Sequence, residues 1–199
     1  MAFSSARAVG LNLATVTVVA LNGVASAAAA QEAQSVTVTA EAEQLCLMGE
    51  LEAGTGPVTN FDTPSGSVLS VTQLADAQTM TTRAASIDLA VDVMCNSLHS
   101  VTLSSDDNGL FRPDATPAAG FGSAVPYRAN VVWADEQAML TADAATRQPV
   151  EQELQIGRPN TGEMLIEIDI QAGATNAGAG FPLLAGEYSD ILRVTVEPR

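Results

Sequence analysis

The residue types that carry most protein chemistry are scarce in this chain. It has one histidine, His99, and two cysteines, Cys46 and Cys95. A catalytic triad needs a histidine between a nucleophile and a carboxylate, but the neighbouring Ser97 and Ser100 have the pattern of strand-edge residues. A structural zinc site needs more cysteine and histidine ligands than this chain offers. We therefore expect no enzyme activity, no metal and no cofactor, with His99 on the surface or in a turn.

Two further segments resemble ligand sites only superficially. The acidic residues 105–109 lack the carboxylate spacing and the downstream glutamate of an EF-hand, and their Asn-Gly pair favours a hairpin turn. The glycine-rich residues 173–180 are followed by neither a lysine nor a helix, unlike a phosphate-binding loop. The aromatic side chains of Tyr127 and Trp133 are expected in the core.

Composition excludes two classes of partner. The chain carries 23 acidic against 8 basic residues, and its pI is about 4.1. Nucleic-acid binding requires a basic surface, and so does attachment to an anionic membrane. The acidic residues are scattered along the chain, which is typical of a solubilising surface.

The N-terminal residues 1–30 have the pattern of a secretory signal peptide. Arg7 is their only charge, an apolar stretch covers residues 11–24, and small residues follow at 25–30. The apolar stretch is too short and too polar for a transmembrane span, and no second one follows. In an exported chain, we expect Cys46 and Cys95 to form one disulfide, with two buried free thiols as the alternative.

The rest of the chain alternates apolar and polar residues with the period of two that is typical of half-buried strands. The alternating runs are residues 36–42, 87–95, 100–104, 164–171 and 192–197. Turn residues separate them at 63–66, 106–109 and 158–162, and only the alanine-rich residues 137–146 suggest a turn or two of helix. This pattern predicts an all-β fold, an immunoglobulin-like antiparallel β-sandwich, with a closed barrel as the alternative.

The first and last alternating runs suggest that the sandwich lacks its last strand. The final run, residues 192–197, almost reaches the C-terminus, where an immunoglobulin-type sandwich has one more strand. A spare alternating run stands before the first cysteine, which is the arrangement required for β-strand addition between neighbouring subunits. The predicted donor strand carries Val36, Val38, Ala40 and Ala42, and the predicted acceptor groove carries Leu192, Val194 and Val196.

Three motifs resemble one family. The Ala-Gly-Glu-Tyr-Ser-Asp run at residues 185–190, leading into Val-Thr-Val at 194–196, is similar to the ending of spore coat protein U domains. That family includes the pilins of archaic, Csu-type chaperone–usher fibres. Val-Pro-Tyr at 125–127 resembles the family's central Pro-Tyr strand, and Cys46 and Cys95 match its cysteine pair. The resemblance covers residue 36 to the end of the chain.

The resemblance implies a fold completed by donor-strand complementation. Residues 1–30 are then the signal peptide, 31–43 the donor-strand extension and 44–199 the incomplete pilin domain. The implied partners are copies of the chain or related pilins, a periplasmic chaperone and an outer-membrane usher, and the implied location is a fimbria on a Gram-negative cell. The implied function is that of a structural subunit in adhesion or biofilm. The alternative is a secreted or tip-located binding module with a self-contained sandwich.

Overall fold

The computed structural model of the protein describes residues 36–116 and 118–199. The predicted signal peptide, residues 1–30, lies outside these residues, and so do residues 31–35 of the predicted donor extension. The chain divides between Ala40 and Glu41 into two units. In the first unit, the described residues 36–40 are exposed and belong to no strand.

The second unit, Glu41–Arg199, is all-β, and its described residues contain no helix. The all-β prediction is confirmed. Its strands are β1 (Cys46–Met48), β2 (Glu52–Ala53), β3 (Ala85–Cys95), β4 (His99–Ser105), β5 (Leu110–Phe111), β6 (Ala124–Val125), β7 (Tyr127–Trp133), β8 (Glu136–Ala142), β9 (Val150–Ile156), β10 (Asn160–Ile170) and β11 (Leu192–Pro198). None of the described residues forms a helix of the length and apolarity that crossing a membrane requires.

The strands form two main sheets, and every strand pair is antiparallel. The larger sheet has the order β1-β3-β10-β7-β8, with β2 also beside β3. The smaller sheet has the order β11-β4-β9, and β5 and β6 form a separate ribbon. Side chains from both main sheets share one apolar core, an arrangement consistent with a β-sandwich.

The period-two runs behave as predicted in the two long central strands. Alternate side chains of β3 and β10 are buried, and the residues between them face outward. The buried rows are Ile87, Leu89, Val91, Val93 and Cys95 on β3 and Met164, Ile166, Ile168 and Ile170 on β10. Burying each of these side chains stabilises the folded state by roughly 1.5–3 kcal/mol, so these two strands contribute a large part of the core's stability.

Two local predictions are wrong. The suggested helix at residues 137–146 is largely strand β8, because it pairs with β7 along its whole length and buries Leu140 and Ala142. The Asn108-Gly109 pair forms a turn but no hairpin. The strands on either side of this turn join different partners, since β4 pairs with β11 and β9 while β5 pairs with β6.

Candidate functional site

An apolar groove of about 700 Å³ runs beside β11. One side is lined by inward side chains of the larger sheet, and another by β11 and the residues just before it. The third side is the irregular segment 54–84 between β2 and β3. The apolar lining includes Leu89, Ile166, Ile168 and Ile170 from the sheet, Leu192 and Val194 from β11, and Phe61, Val68 and Val71 from the irregular segment.

Among the described residues, strand β11 is paired along one edge only. It pairs with β4 from Leu192 to Pro198, and within the described ranges 36–116 and 118–199 no strand pairs with its other edge. Its inward side chains are therefore only half-buried, in contrast to the buried rows of β3 and β10. Of the three residues predicted to form an acceptor groove, Leu192 and Val194 line it, while Val196 is half-buried outside the lining.

The irregular wall of the groove is held by isolated backbone bridges, such as the one between Phe61 and Val71, and by the side chain of Asn60. The Asn60 amide nitrogen donates to the carbonyl of Gln73 at 2.9 Å, and its amide oxygen accepts from the Gln73 backbone N–H at 3.0 Å. Asn60 has a φ of 55°, a conformation that asparagine tolerates better than most residues. This wall could not be predicted from the sequence, because its apolar residues follow no period of two.

The half-buried carboxylate of Asp190 lies in the lining of the groove. Its Oδ2 accepts hydrogen bonds from the Tyr127 hydroxyl at 2.7 Å and the Ser105 hydroxyl at 2.5 Å. Its Oδ1 accepts from the backbone N–H groups of Asp107 at 3.0 Å and Ile191 at 2.7 Å. Burial raises the pKa of Tyr127 well above its usual range, and the facing carboxylate adds to this, so the phenol remains a donor. The carboxylate thus joins β4, β7 and the start of β11.

His99 lies at the other end of β4 and is fully buried, which contradicts its predicted place on the surface or in a turn. Its Nδ1 donates to the carbonyl of Ser97 at 2.9 Å, and its Nε2 accepts from Trp133 Nε1 at 2.8 Å. These partners select the tautomer protonated at Nδ1. The signal was present in the sequence, because His99 continues the inward row of Val101 and Leu103 at a spacing of two.

The predicted disulfide between Cys46 and Cys95 is confirmed. The two cysteines lie directly opposite each other on β1 and β3. Their sulfurs and a ring nitrogen of His99 lie within 4.8 Å of one another. From the sequence, no metal site was expected, because the chain has too few cysteine and histidine residues for a structural zinc site. The sulfurs are bonded to each other and both imidazole nitrogens have hydrogen-bond partners, so this trio offers no free thiolate to a metal.

Ion pairs and a buried asparagine connect the acidic turn at residues 105–109 to neighbouring segments. Asp106 pairs with Arg193, and Asp107 pairs with Arg147 at 2.8 Å. Asn108 is buried, and its amide donates to Asp143 Oδ1 at 2.6 Å. Exposed ion pairs of this kind contribute roughly 0–1 kcal/mol, so they orient the turn more than they stabilise it.

No family model matches the chain, and no curated protein matches its sequence. The geometry of the groove is therefore the remaining guide to function. In other proteins, an exposed strand edge beside a trough of apolar side chains binds an extended peptide by adding a strand.

Proposed function

We propose that this protein is a structural subunit of an extracellular chaperone–usher fibre that polymerises by donor-strand exchange. The observation that carries the proposal is the apolar groove beside the edge of β11 that no described strand covers. In this proposal the chain is an immunoglobulin-like sandwich without its last strand, and a segment of the next subunit supplies that strand.

A strand bound in the groove would pair with the backbone of β11 and would also cover apolar side chains. Its backbone would pair with the N–H and C=O groups on the edge of β11 that no described strand covers, since an exposed edge is otherwise a template for aggregation. Its inward side chains would cover Leu192 and Val194, which are only half-buried now. Each apolar contact stabilises by about 25 cal/mol for every Å² removed from water, so a row of such side chains contributes several kcal/mol.

Residues 36–42 of a second copy fit this role. Side chains at alternate positions of an extended strand share one face, which here carries Val36, Val38, Ala40 and Ala42. Val36 is 86% exposed and Val38 is 88% exposed, so both are available for burial. Seven residues in a strand span about 23 Å at about 3.3 Å per residue, which matches the seven residues of β11.

The resemblance to spore coat protein U domains supports the same reading. Two of its motifs meet in space, since Tyr127 of the Pro-Tyr motif donates a hydrogen bond to Asp190 of the C-terminal motif at 2.7 Å. In that family's route, a periplasmic chaperone lends a strand, an usher exports the fibre, and the subunit serves adhesion or biofilm on the surface of a Gram-negative cell. We propose the same partners and location here.

The test mixes two variants that are each defective in one half of the exchange. Val38→Asp blocks donation and leaves the groove intact, while Val194→Asp blocks the groove and leaves the donor segment intact. Each variant alone is expected to remain monomeric, because burying an unpaired carboxylate is unfavourable. An equimolar mixture is expected to give dimers that survive in detergent and go no further.

The matched controls place the same charge one residue away, where the side chain faces outward. Thr37→Asp and Thr195→Asp are expected to polymerise as the unmodified protein does. Polymerisation by Val38→Asp alone, or a mixture that stays monomeric, would contradict the proposed exchange. A stable monomer from every variant, including the unmodified chain, would favour a self-contained binding module.

A further inference from the structure

Strands β4 and β7 belong to different sheets and are joined by polar bridges at both ends. At one end, Trp133 on β7 donates to His99 on β4 at 2.8 Å. At the other end, Tyr127 on β7 and Ser105 on β4 both donate to Asp190 Oδ2. Trp133 and His99 are buried outside the groove lining, whereas Tyr127, itself a core residue, and Asp190 both line the groove. The same pair of strands is therefore held together inside the core and again at the groove.

An empty apolar groove favours its own closure, because bringing its walls together removes apolar surface from water. If the groove walls moved together beside Asp190, its carboxylate would separate from the groups that donate hydrogen bonds to it. The backbone N–H of Asp107 also holds this carboxylate, and that of Gly109 lies 3.4 Å from Oδ2. Buried donors and acceptors that lose their partners are costly, so this set of hydrogen bonds opposes the collapse.

We propose that Asp190 is a positioning residue that holds the groove at the width of a strand before the donor segment arrives. Its carboxylate fixes the start of β11 relative to β7 and β4. The donor segment then enters a preformed groove and spends no binding energy on opening it. This inference rests on the proposed function and adds a specific role for the motif that ends at Asp190.

The role predicts a kinetic signature. A protein whose binding-competent state is only partly populated binds with an affinity reduced by that fraction. Weakening the bridge lowers the population of the open groove and slows association of the donor segment. Once the segment is seated, it holds the walls apart itself, so its dissociation rate changes little. A merely structural role would lower stability and leave the association rate unchanged.

The experiment measures binding of a fluorescent peptide with the sequence of residues 35–43. The acceptor is the full chain carrying Val38→Asp, so that its own segment does not compete. Tyr127→Phe removes the hydrogen bond at the groove, and Trp133→Phe removes the equivalent bridge in the core as a matched control. Ser105→Ala tests the groove bridge independently if Tyr127→Phe does not fold. Stopped-flow mixing gives association and dissociation rates, and urea unfolding gives the stability of each variant.

We expect Tyr127→Phe to slow association by about tenfold, which corresponds to about 1.4 kcal/mol. We expect Trp133→Phe to lower stability and leave association within about twofold of the reference, because its bridge is remote from the groove. Equal association rates for the two variants would overturn the role of Asp190 while leaving the proposed function intact. Absence of peptide binding to the reference protein would overturn both.

Discussion

The phenolic oxygen of Tyr127 lies 2.7 Å from Oδ2 of Asp190, and this hydrogen bond joins the start of β7 to the residues that lead into β11. Removing either partner leaves the other polar group without this hydrogen bond at a site that is partly shielded from water. We expect Tyr127→Phe to lower the free energy of unfolding by about 1–2 kcal/mol. Asp190→Ala should cost more, because the carboxylate also serves Ser105 and two backbone N–H groups.

Urea unfolding of both variants checks this order. Equal losses would mean that the Tyr127 hydroxyl accounts for the whole effect of the carboxylate. A loss under about 0.5 kcal/mol for Asp190→Ala, within the range of ordinary surface substitutions, would contradict the described network.

The disulfide should make a large contribution to stability. Cys46 and Cys95 are separated by 49 positions, and closing a loop of that size stabilises by about 4 kcal/mol in the chain-entropy model. The Cys46→Ala, Cys95→Ala double variant should therefore unfold at a much lower urea concentration than the oxidised protein. Reduced unmodified protein is the matched control, and it should behave as the double variant does. Identical midpoints for oxidised and reduced protein would contradict this prediction.

The buried bridge between His99 and Trp133 leads to a separate prediction. His99→Leu leaves the indole N–H of Trp133 without an acceptor, and this should lower the free energy of unfolding by about 1–3 kcal/mol. Trp133→Phe should remove the same hydrogen bond, so the double variant should lose less than the sum of the two single losses. Additive losses in a double-mutant cycle would show that the two rings contribute by packing alone.

Asp143 should contribute to the decrease in the free energy of unfolding at acidic pH. The backbone N–H of Ala145 and then the amide of Asn108 hold the pKa of Asp143 below its usual value. A group whose pKa is lower in the folded state stabilises the protein above its unfolded pKa, and that contribution is lost as pH falls through the folded pKa. Asp143→Asn should therefore lose less stability than the unmodified protein between about pH 5 and pH 3. Parallel curves of urea midpoint against pH would contradict this.

The parts of the fold that follow a simple sequence pattern, such as the alternation of apolar and polar residues, could be predicted from the sequence. The alternating rows of β3 and β10 determine which side chains are buried, since a strand with one buried face has no other register. The signal-peptide pattern, which predicts export, and the even cysteine count were enough to predict the disulfide between Cys46 and Cys95.

The parts that depend on distant partners could not be predicted in this way. His99 is buried because Trp133, 34 residues away, supplies its donor. Strand β8 has the composition of a helix, but pairing with β7 overrides that preference. The wall of the groove at residues 54–84 is held by isolated backbone bridges and by the side chain of Asn60 rather than by a repeating pattern.

Polymer formation by two neighbouring variants tests the central claim most directly. Val38→Asp places a carboxylate on the apolar face of the donor segment, where burial without a partner costs several kcal/mol. Thr37→Asp places the same charge on the opposite face, which points away from the groove. The measurement is the ladder of heat-resistant polymers formed by each variant on a denaturing gel. A normal ladder is expected for Thr37→Asp and none for Val38→Asp, whereas equal ladders from the two would show that Val38 is not buried in a neighbouring subunit.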